Sequence, residues 1–296
     1  MKPDYFKRTW QTLIKTLTHF INLNGLKLSA ALSYYTVFSL APLLIVIISL
    51  VGIFFGQQAV EGRVYHQISG LVGSDAALQV QNIIRNIRES KHGWAGGIIG
   101  TIVLVVGASG VFSEIQSSIN YLWHIPPPKK KGFLVAVTSK LISFSLLIAV
   151  SFLLIVSLLV NALVDALSDR LRHFFNSSML DLFYVVNLVL IFIIVSFLFT
   201  LIFKILPNAT IRWKDSMVGA FLTAFLFLIG KFAIGFYLGN SRIGITYGTT
   251  ASIVILMLWV YYSSIILYFG ATFTYIHAAA KGHRVRPRNG NDLNAL

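Results

Sequence analysis

Six apolar runs, each close to the length of a bilayer crossing, constrain this chain more than any other feature of it. They lie at about 33–56, 95–118, 136–160, 183–206, 216–239 and 249–277. A hydrocarbon core of roughly 30 Å takes about 20 apolar residues of helix to cross. No water reaches the backbone there, so each crossing must satisfy its own N–H and C=O groups, which a helix does and an open strand does not. The expected fold class is all-α: a polytopic membrane protein with six transmembrane helices. One membrane domain over 33–278 takes up most of the 296 residues, preceded by an amphipathic segment, 1–32, and followed by a basic tail, 279–296, expected to be disordered. The small residues Ser29, Ala30 and Ala31 come before the first run and not after it, which reads as a retained helix, not a cleaved leader.

Charge sets the topology. The chain carries a net +14, and 11% charged residues against 56% hydrophobic ones is a membrane composition. With six crossings the loops sort to two sides. One side holds the N-terminal segment, the 119–135 loop with Lys129, Lys130 and Lys131, the 204–215 loop with Lys204, Arg212 and Lys214, and the tail with Lys281, Arg284, Arg286 and Arg288. On the other, Arg63, Arg85, Arg88, Lys91, Arg170, Arg172 and Arg242 are nearly balanced by acids. Nearly all the excess lies on one side, which the positive-inside rule makes the cytoplasm, so both termini are expected there. The dispersed cations suit anionic lipid headgroups as partners. They do not form the single basic, aromatic-studded module that nucleic acid requires. With no cysteine in the chain, disulfides, thiolate metal sites and cysteine nucleophiles are excluded together.

Residues 3–24 place Phe6, Trp10, Leu13, Leu17 and Phe20 at helical spacing, which predicts an interfacial amphipathic helix broken at Asn24-Gly25. Further amphipathic helices are expected in the outer loops, at 57–94 and 161–182. In the first run Ser29, Ser33, Thr36 and Ser39 share a stripe, and Pro42 predicts a kink. Two ionisable residues fall inside runs, each among small residues: Glu114 with Gly107, Gly110 and Ser118, and Lys231 with Ser216, Ala220, Ala224 and Gly235. Small-residue faces pack against neighbours or line a crevice, while Phe221, Phe225 and Phe232 are expected to meet lipid. An ionisable residue so placed is either part of a polar path or a structural contact that caps or snorkels. At about 1.5 Å per residue the two differ in depth by roughly 16 Å, too far for a direct ion pair.

Signals for catalysis are weak. The histidines form no metal-binding pair backed by carboxylates, and Gly107-Ala-Ser-Gly110 lacks the flanks of a nucleophile elbow. No enzyme activity, cofactor or metal is expected.

Several stretches, in order, resemble the YihY/BrkB family of bacterial inner-membrane proteins, once labelled ribonuclease BN. They are LSAALSYYTVFSLAPLL (28–44), GVFSEIQSSINYLW (110–123), LPNATIRWKDSMVGAF (206–221), the Gly230, Lys231 and Tyr237 set, and YGTTASIVILMLWVYYSSIILYFGATFT (247–274). The resemblance covers roughly 25–280 and implies six inner-membrane helices with cytoplasmic termini and a role in envelope lipid handling or export. Its motifs add Asn120, Arg212, Asp215, Tyr237 and Tyr247 to Glu114, Lys231, Ser33, Thr36, Ser39 and Pro42 as candidates for a polar path. One departure is Gly270-Ala271-Thr272, where the family usually has Gly-Ala-Glu. The expected function is transporter-like, moving or supporting movement of phospholipid or another amphipathic envelope component. The alternative is a scaffold docking a periplasmic or envelope protein partner. RNA processing, a third reading, lacks the carboxylates or histidines that would hold its metals.

Overall fold

The computed structural model describes residues 3–39, 78, 81, 110–126, 177–240 and 251–288. Within them the chain forms α1 (Pro3–Asn22), α2 (25–39), α3 (110–122), α4 (Ser177–Ile205), β1 (Ala209–Thr210), α5 (Trp213–Asn240), α6 (Ala251–Ala280) and β2 (Arg286–Pro287). Among the described residues three helices are long and apolar enough to cross a membrane, over Leu188–Ile205, Trp213–Ile234 and Val254–Ala280. They fall on the fourth, fifth and sixth expected runs. The 136–160 run lies outside the described residues, as do most of 33–56 and 95–118 and nearly all of the 57–94 loop. The same holds for 161–176 of the second outer loop.

Local chemistry sets the element ends. Pro207 has no N–H to continue a helix, and α4 stops at Ile205. Asn24 takes a left-handed conformation (φ 55°) that asparagine tolerates better than most residues. It closes α1 through Asn24 N–H to Ile21 O (2.9 Å) and opens α2 by accepting Leu28 N–H (3.1 Å). Gly25 follows because the Phe20 ring lies where its Cβ would be. The break expected at Asn24-Gly25 is therefore present, and α2 starts eight residues before the expected run. At the end of α6, His283 N–H reaches Ala278 O and Gly282 N–H reaches Ala279 O, each at 2.9 Å, with Gly282 at φ 73°. That is the Schellman arrangement, in which a left-handed glycine satisfies the orphan carbonyls of a helix end.

The chain divides into two compact units. The first comprises Met1–Thr16, Trp123–Leu226 and Gly270–Leu296. Here α5 and α6 run antiparallel in close contact: Thr223 covers Gly270, and Thr274 covers Gly219. Each threonine hydroxyl donates back to the glycine carbonyl one turn earlier, Thr223 to Gly219 O and Thr274 to Gly270 O, both at 2.7 Å. Neither threonine hydroxyl is stranded, and the missing glycine side chains let the backbones approach. Trp123 is buried and its indole N–H donates to Ala271 O at 2.8 Å. Phe199 and Phe203 stack along α4, and Phe192 stacks on Phe221. β1 and β2 pair antiparallel, Ala209 opposite Pro287 and Thr210 opposite Arg286, with Arg288 N–H donating to Asn208 O at 2.9 Å.

The second unit comprises Leu17–Leu122 and Phe227–Phe269. Phe20 meets Phe269 edge-on, the Tyr262 ring occupies the space over Gly230, and Phe227 meets Trp259 edge-on. His19 Nε2 lies 3.1 Å from Leu122 O, close to the end of α3.

One expectation needs correction, and the faces of α1 and α3 are then set by burial. The tail is not disordered over 281–288: a helix cap, a ladder and side-chain bonds fix it, and 289–296 lies outside the described residues. The side of α1 that is buried carries Thr12, Thr16 and Phe20, while Trp10, Ile14, Leu17 and Ile21 are exposed. Thr16 allows this by donating its hydroxyl to Thr12 O at 2.7 Å. On α3 the buried face is Ile115, Ser118, Ile119 and Leu122, so Tyr121 turns outward and Glu114 borders that face.

Candidate functional site

The first unit gathers ionisable side chains where α5 begins and α6 ends. Arg212 precedes α5, and its carbonyl accepts the N–H groups of Asp215 and Ser216 at 3.1 Å. Asp215 stands in the first turn, where the helix dipole favours a carboxylate. Its side chain is only 1% exposed. The glycine cap of α6 delivers His283 to it, with Nδ1 2.8 Å from Asp215 Oδ2. Arg212 Nη1 lies 2.7 Å from His283 Nε2. Arginine can only donate, so Nε2 must accept and Nδ1 must carry the proton given to the carboxylate. The neutral imidazole thus relays between a cation and a buried anion. Beside this clasp is a cavity of about 200 Å³ lined by Thr210, Arg212, Asp215, His283 and Arg284, with Ile211 and Val285 among its apolar walls. Thr210 donates to Arg286 O, so the ladder fixes one wall. Lys204 donates to Ile211 O and lies over the Trp213 ring, fixing another.

The second unit holds the charged residues found inside apolar runs. Glu114 Oε1 accepts the Ser118 hydroxyl at 2.9 Å, and its backbone carbonyl lies 3.5 Å from the hydroxyl of buried Tyr268. Lys231 is half-buried on α5, with Phe232 exposed beside it. The serine stripe is spent inside the protein: Ser29 donates to Gly25 O, Ser33 to Met257 O across to α6, and Ser39 to Thr36 O. Ser33 ties α2 to α6 while Ser29 and Ser39 bond within α2, so the three serines offer no open row of donors. Asn120 is half-buried on α3, Tyr237 lies on α5, and Pro42 and Tyr247 lie outside the described residues.

Of the candidates read from sequence, Arg212 and Asp215 come together and Glu114 and Lys231 share a unit. His283 was missed. Its signal was Lys281-Gly282-His283 directly after an apolar helix, a glycine stop that presents the following side chain. Among the described residues, no three histidines or carboxylates are placed to hold a metal ion.

Several relatives carry the description UPF0761 membrane protein. That of Verminephrobacter eiseniae is 26% identical over 92% of this chain and 63% of its own length. That of Stenotrophomonas maltophilia strain K279a is 29% identical over 88% and 59%, and that of Haemophilus influenzae is 26% identical over 83% and 87%. The chain thus spans about three-fifths of the length of the first two. No solved structure matches it. The model of the Virulence factor BrkB family matches residues 16–292. With that match over nearly its whole length and its membrane-length helices, the chain is an integral membrane protein belonging to the BrkB family.

Proposed function

We propose that the protein is a transporter-like protein of the bacterial inner membrane that moves, or supports movement of, phospholipid or another amphipathic envelope component. It would do so through six spans with both termini in the cytoplasm. The observation that carries this reading is Lys231. It is a half-buried cation within the apolar stretch Trp213–Ile234, on a helix whose other side exposes Phe221, Phe225, Phe232 and Phe236. A phospholipid needs an apolar surface for its tails and a cation for its phosphate, and α5 supplies both along one element. Lysine costs about 2.5–3.5 kcal/mol at the centre of a span on insertion scales and less toward its end, where Lys231 lies. The serine stripe does not support the reading, because its hydroxyls are already bonded.

Reconstitution in liposomes with labelled phospholipid, any required gradient or partner supplied, tests the proposal. Wild type is expected to accelerate transbilayer movement, and Lys231→Met to slow it while the protein stays folded. No acceleration over empty vesicles would refute the transport reading. Wild-type rates in Lys231→Met would return this lysine to a structural role.

A further inference from the structure

We propose that the cavity beside the Arg212–His283–Asp215 clasp is a binding site for a phosphate group, presented by a lipid headgroup or as a free anion. Its charge is the first argument. Asp215 is the acid in its wall, and the carboxylate is buried and taken up by His283. Arg212 and Arg284 line the same space, and both are exposed to an arriving ligand. Arg212 commits one N–H to His283, leaving donors of its guanidinium fork, the geometry that matches phosphate oxygens in pairs. Arg284 makes no side-chain hydrogen bond among the described residues.

The second argument is that the walls are built before a ligand arrives. The β1–β2 ladder fixes Thr210, the Schellman cap fixes His283, and the Asp215–His283 bond ties the end of α6 to the start of α5. A fixed set of donors binds without first losing the entropy of ordering them. Size is the third. At about 200 Å³ the cavity is smaller than the roughly 300–1,000 Å³ that takes a whole drug-sized molecule, so it fits a headgroup-sized anion. Lys214, Lys281 and Arg286, exposed in the same unit, add positive field that raises the local concentration of anions. A metal cation would meet two arginines and one engaged carboxylate, which is the wrong donor set.

The inference draws on the proposed lipid role only for the source of the phosphate, and binding can be measured apart from transport. The full chain in phosphatidylcholine nanodiscs is titrated calorimetrically with inorganic phosphate and, separately, with a soluble short-chain phosphatidic acid. Saturable binding of at least one is expected. Losing one charged donor pair weakens binding about tenfold, so Arg284→Gln and Arg212→Gln should each do so. Lys27→Gln, an exposed change on α2, should leave affinity unchanged. Binding of the lipid alone identifies a headgroup site, and binding of both identifies the phosphate as the recognised group. No saturable binding, or unchanged affinity in both arginine variants, overturns the inference. Phosphate binding without lipid movement would leave this site standing and remove the transport reading. Lipid movement with unaltered binding in the arginine variants would do the reverse.

Discussion

Replacing Gly219 by alanine tests the α5–α6 contact at its tightest point. A Cβ there would overlap Thr274 Oγ1 and lie 2.8 Å from Thr274 Cβ and 3.2 Å from its backbone Cα. The hydroxyl can rotate away, but it then surrenders its 2.7 Å bond to Gly270 O. The Cα can retreat only if α6 moves. Alanine gains about 1 kcal/mol of helix propensity over glycine. Against this stand about 1–3 kcal/mol of overpacking and about 1 kcal/mol for the lost hydrogen bond. The net expectation is a loss of roughly 1–3 kcal/mol. Gly270→Ala should cost less, because the three atoms nearest its Cβ all belong to the Thr223 side chain and none to the backbone. Combining it with Thr223→Ala should recover part of the loss. Unfolding of the purified protein in dodecyl maltoside micelles by added dodecyl sulfate, followed by circular dichroism, gives the measure. If Gly219→Ala matches or exceeds wild-type stability, the two helices do not meet as described and the packing argument fails.

Two further changes probe the clasp. His283→Ala removes the donor to a carboxylate that is 1% exposed, and a hydrogen bond to a charged group is worth about 1.5–3 kcal/mol. A loss of that size is expected in the same titration, and a change below about 0.5 kcal/mol, the range of an ordinary surface substitution, would contradict it. Gly282→Ala places a Cβ in open space but at φ 73°, so only backbone strain is felt, about 1–2 kcal/mol. Gly282→Asn should lose less, since asparagine tolerates that conformation, and hydrogen exchange over 282–288 should rise in the alanine variant first.

The sequence could be read well where one segment decides its own state. The Asn24-Gly25 break is set by its own two residues, and the apolar length of 183–206, 216–239 and 249–277 leaves no other form in a bilayer. On α5 even the faces were legible: Ser216, Ala220 and Ala224 are buried, and Phe221, Phe225 and Phe232 are exposed, because small and bulky residues separate at helical spacing. The residues of α1 that the protein itself covers were not legible in the same way. Its apolar residues marked one face for a membrane surface, but nothing along the chain marked Thr12 and Thr16, with Phe20, as the buried side. Hydrophobicity ranks residues, but in a membrane protein it does not say which side meets the protein and which meets lipid.

The sequence by itself determined the membrane class, the family and the break at Asn24-Gly25, since these follow from the length of the apolar runs, an ordered set of motifs and the chemistry of two residues. Tertiary structure alone decided that Thr223 and Thr274 each cover a glycine on the opposite helix, that Ser33 spends its hydroxyl on Met257, and that Asp215 meets His283. Asp215 and His283 lie 68 positions apart. No periodicity links them, because what joins them is a ladder of two residue pairs and an antiparallel helix contact that fix distance in space without leaving a pattern along the chain.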